Sequence, residues 1–206
     1  MRLKLIASLA AVTFLTGCLQ QHQGETSTWF ASNGGVPPRT DRVTVCHGFG
    51  CHLKTSYAFS SADVQKMKRF FAGAKTAKAE RAAIANMIGW VEKRVAPKVG
   101  SENDEGGLDI ANAGKRGQMD CIDEAANTTS YLMVAERHGL LRFHKVARPV
   151  ARGFFLDGRY PHATAVVVAK GGEPWSVDSW PSPNGVKPTI MPLAKWYAES
   201  TAVPAG

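Results

Sequence analysis

The apolar positions of this chain change their spacing several times, and each change marks an element. From Leu5 to Leu15 they run almost unbroken behind Arg2 and Lys4, too short a stretch to span a bilayer. That is the pattern of an export signal over residues 1–17. Residues 18–41 have no apolar period and are rich in Gln, Ser, Thr, Gly and Pro, which predicts a flexible tether. A short strand is expected at 43–45. Val64, Met67 and Phe71 then share one helical face behind a Ser60 or Ser61 cap, with Gly73 as the stop. Ile84, Ile88, Val91 and Val95 recur at helical spacing after Thr76, and Pro97 marks the predicted end. Residues 98–119 form a long, charged, glycine-rich connection, the kind that lines a groove or makes a disordered excursion. A third helix is predicted from Asp120 or Cys121 to His138, with Gly139 as its stop. Beyond it the apolar runs shorten to strand length at 141–146, 151–155, 162–169 and 175–180. Asp157-Gly158 and Gly171-Gly172 supply turns. Residues 181–192 read as irregular and 193–197 as a last short helix. Helices followed by an antiparallel sheet make residues 42–206 one α+β domain with one core.

The segment before the tether ends Leu15-Thr16-Gly17-Cys18 and resembles a bacterial lipobox, in which the cysteine is lipidated and becomes the first mature residue. The resemblance implies a cell-envelope protein anchored in a membrane by acyl chains and facing the periplasm. Leu19 follows the cysteine, not Asp, which under enteric sorting rules favours the outer membrane. The chain is basic, with formal charge +8, of which Arg2 and Lys4 belong to the signal. An exported lipoprotein does not meet nucleic acid, and no interleaving of aromatic and basic residues suggests such a partner. The charge therefore reads as a solvated basic surface.

The remaining cysteines divide by context. Cys46 and Cys51 stand in Cys46-His47-Gly48-Phe49-Gly50-Cys51-His52, a short loop with two glycines, and an oxidising compartment allows them to pair. Zinc on Cys46, His47, Cys51 and His52 is a second reading. Covalent haem is a third, although four residues separate the cysteines where an attachment site has two.

Cys121 is different. A thiol at a helix start meets the positive end of the macrodipole, which favours the nucleophilic thiolate. His162 and Asp178 fall on neighbouring predicted strands either side of Gly171-Gly172, an even number of residues apart, so a hairpin can put them on one face. An imidazole can take the thiol proton, and a carboxylate can orient the imidazole. Helix-start Cys, strand His and next-strand Asp, in the strings 120–125, 162–168 and 175–180, resemble the bacterial transglutaminase-like cysteine proteinases of the papain-like superfamily. This resemblance implies a papain/transglutaminase-like fold with Cys121 as nucleophile, His162 as general base then acid, and Asp178 as orienter. It also raises Gln118 as an oxyanion donor beside the Cys121 backbone N–H. Relatives of this type carry acidic calcium ligands around the cysteine. Asp120 and Asp123 match that pattern, but Ile122 replaces the acid between them, and helix capping accounts for both residues without a metal. No other cofactor is expected.

The function so implied is acyl transfer from a peptide or isopeptide carbonyl of an envelope protein or peptide to water. Amine transfer, peptidoglycan peptide cleavage and a non-catalytic binding lipoprotein of the same fold are the rivals. Trp175 and Trp180 are expected to shield Asp178 from water. His138 and His144 carry no expected chemistry.

Overall fold

In the computed structural model, residues 21–107, 110–153 and 160–199 are described. The predicted signal 1–17, Cys18 and the Asp157-Gly158 turn lie outside them. The first described element already departs from expectation. Within the predicted tether, helix α1 (Thr26–Ser32) buries Trp29 and Phe30, and the Gly35 N–H closes onto the Phe30 carbonyl at 2.8 Å. Seven residues are too few for an isolated helix; burial of the two aromatic rings holds this one. Residues 26–35 are thus packed structure, not loose tether.

A hairpin follows, β1 (Arg42–His47) against β2 (Leu53–Ala58). Helix α2 (Ser61–Phe71) starts at a reciprocal capping box between Ser60 and Asp63. Helix α3 (Ala77–Val99) is capped by the Thr76 hydroxyl and ends at Gly100 in the left-handed region. It therefore runs past Pro97. A proline this near the end removes only one backbone bond, and buried Ala96 and Val99 hold the last turn in place.

Helix α4 (Cys121–Arg137) packs on β1 and on a four-stranded antiparallel sheet. That sheet runs in the order β3 (His144–Arg152), β4 (His162–Ala169), β5 (Pro174–Asp178), β6 (Thr189–Pro192). A short helix α5 (Leu193–Ala198) closes the described chain. Helices on antiparallel sheets make the molecule α+β. The two runs predicted around Pro149 are one strand. A bulge between Ala147 and Val150 absorbs the proline that sequence reading takes as a break. The main core joins Ile84, Met87 and Ile88 of α3, Leu132 of α4, and Ala165, Val167 and Val177 of the sheet.

Candidate active site

Strand register brings the predicted His and Asp together. Ala165 pairs with Val177, so one step further Asp178 faces Thr164, and His162 lies two residues along the same face of β4. That diagonal is within reach of long side chains. His162 Nε2 and Asp178 Oδ2 are 2.6 Å apart, and both residues are buried. Trp180 lies over the imidazole, with centroids 4.5 Å apart, and Tyr160 stacks on Trp180. Trp175 does not join them. It sits under the Arg81 guanidinium at the edge of the main core and bonds Glu173. Of the two tryptophans expected to shield Asp178, Trp180 covers the His162 ring instead, and the indole that touches Asp178 is Trp196. Its indole N–H donates to Asp178 Oδ2 at 2.8 Å, and its ring packs 5.4 Å from the imidazole.

Indole N–H is a donor only. Asp178 Oδ2 therefore accepts from Trp196, which favours an ionised oxygen that also accepts from His162. In that arrangement the imidazole proton is on Nε2 and Nδ1 is bare. Nδ1 is buried and has no hydrogen-bond partner among the described residues. Behind Asp178, the Ser179 hydroxyl donates to Glu124 Oε2 at 2.7 Å and meets the Thr128 hydroxyl at 2.9 Å. Burial and then the nearby Asp104 charge push the Glu124 carboxyl up to about 8.

Cys121 is the first residue of α4, as predicted, and its sulfur lies against the backbone around His162. Sγ is 3.8 Å from the Pro161 carbonyl oxygen, and the Ala163 N–H faces the sulfur. No Sγ–imidazole hydrogen bond occurs among the described residues. The electrostatics also differ from the expected thiolate. Burial, aided by the Asp120 and Asp178 charges, pushes the Cys121 thiol up to about 12. Desolvation outweighs the helix dipole, so the resting sulfur is a thiol.

The start of α4 is held from outside by the cysteine loop. Cys46 and Cys51 are joined, with Cα atoms 4.5 Å apart. Gly48, Phe49, Gly50 and Cys51 all have positive φ, and the N–H groups of Phe49, Gly50 and Cys51 converge as a nest on the start of α4. Phe49 and Cys51 donate to Asp123 at 2.8 and 2.6 Å, and Gly50 donates to Asp120 at 3.0 Å. Asp120 also caps Ile122 and Asp123 in a full capping box. Both oxygens of both acids thus accept backbone N–H groups. That donor set does not fit calcium, which needs free oxygens converging on it. Cys46, Cys51 and Asp123 do lie close together, but the two sulfurs are spent on each other. His47 bonds Thr55 and the Gly117 N–H and is buried, whereas His52 is exposed.

Gln118 lies upstream as expected, but its amide serves the connecting loop. Nε2 donates to the Asn103 carbonyl at 2.9 Å, and Oε1 accepts from Asn112. The described parts of the 98–119 connection are ordered around the site. The Gly107 N–H donates to the Trp180 carbonyl, and the Gly48 N–H to the Gln118 carbonyl. Gly117 cannot be replaced here: φ is +84°, and a Cβ would fall 1.9 Å from the Gly100 carbonyl oxygen. Sequence reading raises Cys121, His162 and Asp178 as candidates because each sits at an end of a periodic element. It missed Trp196, the nest and the Glu124–Ser179 pair, whose partners are distant in the chain.

No protein-family model, curated protein or solved structure matches this chain. Among the described residues, no helix is long and apolar enough to cross a membrane.

Proposed function

We propose that this protein is a thiol hydrolase of the transglutaminase-like, papain-related type, acting on a peptide or isopeptide carbonyl at the envelope membrane to which Cys18 tethers it. The observation that carries the reading is the His162 imidazole. It is clamped by Asp178 on Nε2, left bare on Nδ1 and buried under Trp180, and His162 follows Pro161, whose carbonyl oxygen lies 3.8 Å from the helix-start sulfur. Nδ1 removes the Cys121 proton as sulfur attacks the carbonyl carbon. The tetrahedral oxyanion is met by the Cys121 backbone N–H. Imidazolium then protonates the leaving amine, giving an acyl-enzyme. Water, deprotonated by the same Nδ1, then attacks the thioester carbonyl, the C–S bond breaks, the imidazolium returns its proton to sulfur, and the carboxylic acid leaves. The burial that pushes the Cys121 thiol up to about 12 supports general-base activation over a resting ion pair.

The same burial favours a second reading, a non-catalytic envelope lipoprotein in which Cys121 is a packed apolar residue. Rates of labelling by iodoacetamide or an epoxide probe separate the two. The hydrolase reading expects Cys121-dependent labelling near neutral pH that slows about a hundredfold in His162→Ala. Equal, slow labelling of both proteins selects the binding lipoprotein.

A further inference from the structure

The His162–Asp178 pair has a third partner from a part of the chain that its sequence pattern does not reach. Trp196 is fully buried on α5, beyond β6, and has three contacts that matter. Its N–H donates to Asp178 Oδ2 at 2.8 Å, the same oxygen that lies 2.6 Å from His162 Nε2. Its ring flanks the imidazole at 5.4 Å, tilted by 47°. The Arg152 guanidinium, from the β3 residue opposite His162, covers the indole at 4.1 Å.

We propose that Trp196 is a positioning residue that sets the His162 tautomer through Asp178. The inference rests on the hydrolase reading for its catalytic consequence, but the tautomer itself does not. A carboxyl oxygen facing one obligate donor is biased to accept from the other neighbour as well. With Trp196 in place, Asp178 receives Nε2–H and leaves the Nδ1 lone pair bare. Without the indole N–H, Asp178 is free to turn, the Nδ1–H form of His162 gains population, and in that form Nδ1, the nitrogen that Asp178 otherwise leaves bare, cannot act as base. Hydrogen bonds to ionised groups are among the stronger ones, which makes this donor worth its burial. Arg152 restrains the indole by stacking, so the clamp spans β3, β4, β5 and α5.

The test is Trp196→Phe in the full chain, which keeps an aromatic ring and removes the N–H. Two quantities are read: the labelling rate of Cys121 by iodoacetamide, and the tautomer of His162 from its imidazole nitrogen NMR signals at pH 8. The expected result is labelling about ten-fold slower, together with a shift of His162 from the Nε2–H form to a mixture. Wild-type tautomer and wild-type rate in Trp196→Phe, with His162→Ala still slow, overturn the role of Trp196 and leave the hydrolase reading standing. If instead wild type labels no faster than His162→Ala, the hydrolase reading fails, and the tautomer signals alone decide for or against Trp196. Should Trp196→Phe not fold, the wild-type indole N–H resonance decides. Slow solvent exchange and a clear shift in Asp178→Ala support the clamp, and a freely exchanging indole N–H overturns it.

Discussion

Cys51 donates its backbone N–H to Asp123 Oδ1 at 2.6 Å, which ties the disulfide loop to the first turn of the helix that begins with Cys121. Phe49 and Cys51 occupy the left-handed region with φ of 70° and 56°, a conformation costly for side-chain-bearing residues. The cross-link keeps the loop in that shape. Replacing Cys46 and Cys51 together by Ser should cost about 2 kcal/mol of stability, a fall in thermal midpoint of about 4–8 °C. It should also slow Cys121 labelling, because Asp120 and Asp123 lose the donors that fix them. Thermal unfolding and labelling rates check both halves. A lower midpoint with an unchanged labelling rate would show that the helix start holds its own geometry.

Asp178 offers a finer test of its own geometry. Both donors, His162 Nε2–H and Trp196 Nε1–H, converge on Oδ2. An Asn amide can place its oxygen at that position and keep both bonds while losing the charge. Asp178→Asn should therefore retain part of the reactivity, down about ten- to a hundredfold. Asp178→Ala strands two buried donors and should fall further and lose stability. Equal rates for the two variants would mean that charge, not acceptor geometry, is what His162 requires.

The thiol itself predicts a pH profile. Because burial pushes Cys121 up to about 12, its thiolate population rises tenfold per pH unit throughout the working range. In His162→Ala the labelling rate should climb without a plateau from pH 6 to pH 9. Wild type should depend on pH less steeply, because its thiol proton goes to His162 and not to hydroxide. A plateau below pH 9 in His162→Ala would place the thiol far lower than its environment indicates.

The positions that could be read from the chain are those where periodicity and punctuation coincide. Cys121 follows an Asp cap, and His162 and Asp178 bound strands around Gly171-Gly172, so local rules sufficed to pair them. The polar run at 26–32 looked unstructured because only Trp29 and Phe30 hold it, through burial that no local pattern announces. Strand β2 alternates between half-buried and exposed residues, too weak a signal in LKTSYA, and β6 lies between prolines where pairing with β5 decides its form. Trp196 and Glu80 escaped notice for the same reason. Each does its work on a residue brought near only by the folded sheet, and a Trp on a short helix or a Glu in a first helical turn has an ordinary local explanation.

Buried acids set an unusual dependence of stability on pH. Burial pushes Asp104 up to about 7 and Glu124 up to about 8. In the unfolded chain these carboxyls lose their protons near the ordinary carboxyl range, about 4. Between that range and 7–8 the native state holds more protons than the unfolded state, so stability falls as pH rises. The contribution is complete below about pH 4 and is lost as pH passes through the folded values. Each group adds a slope of up to about 1.4 kcal/mol per pH unit. Urea unfolding at pH 5, 6.5 and 8 should show declining stability, and Glu124→Gln should flatten the decline. A midpoint that rises from pH 5 to pH 8 would show that these acids are ionised inside the protein.

Glu80 holds the sheet to the helical layer. Fully buried in the first turn of α3, it accepts the backbone N–H groups of Arg142, Phe143 and His144 at 2.6, 3.0 and 2.9 Å, and the His144 ring at 2.9 Å. Arg81, the next residue, reaches the other ring nitrogen of His144 at 3.2 Å. Strand β3 enters the sheet directly from these bonds and pairs with β4, which begins at His162. Glu80→Ala leaves several buried donors without acceptors and should cost about 3–5 kcal/mol. Glu80→Gln keeps one acceptor oxygen but aims an NH2 group at N–H donors, so it should be destabilised by an intermediate amount. Chemical denaturation measures both. A loss under 1 kcal/mol in Glu80→Ala would show that water takes over the four bonds and that the junction does not depend on this carboxylate.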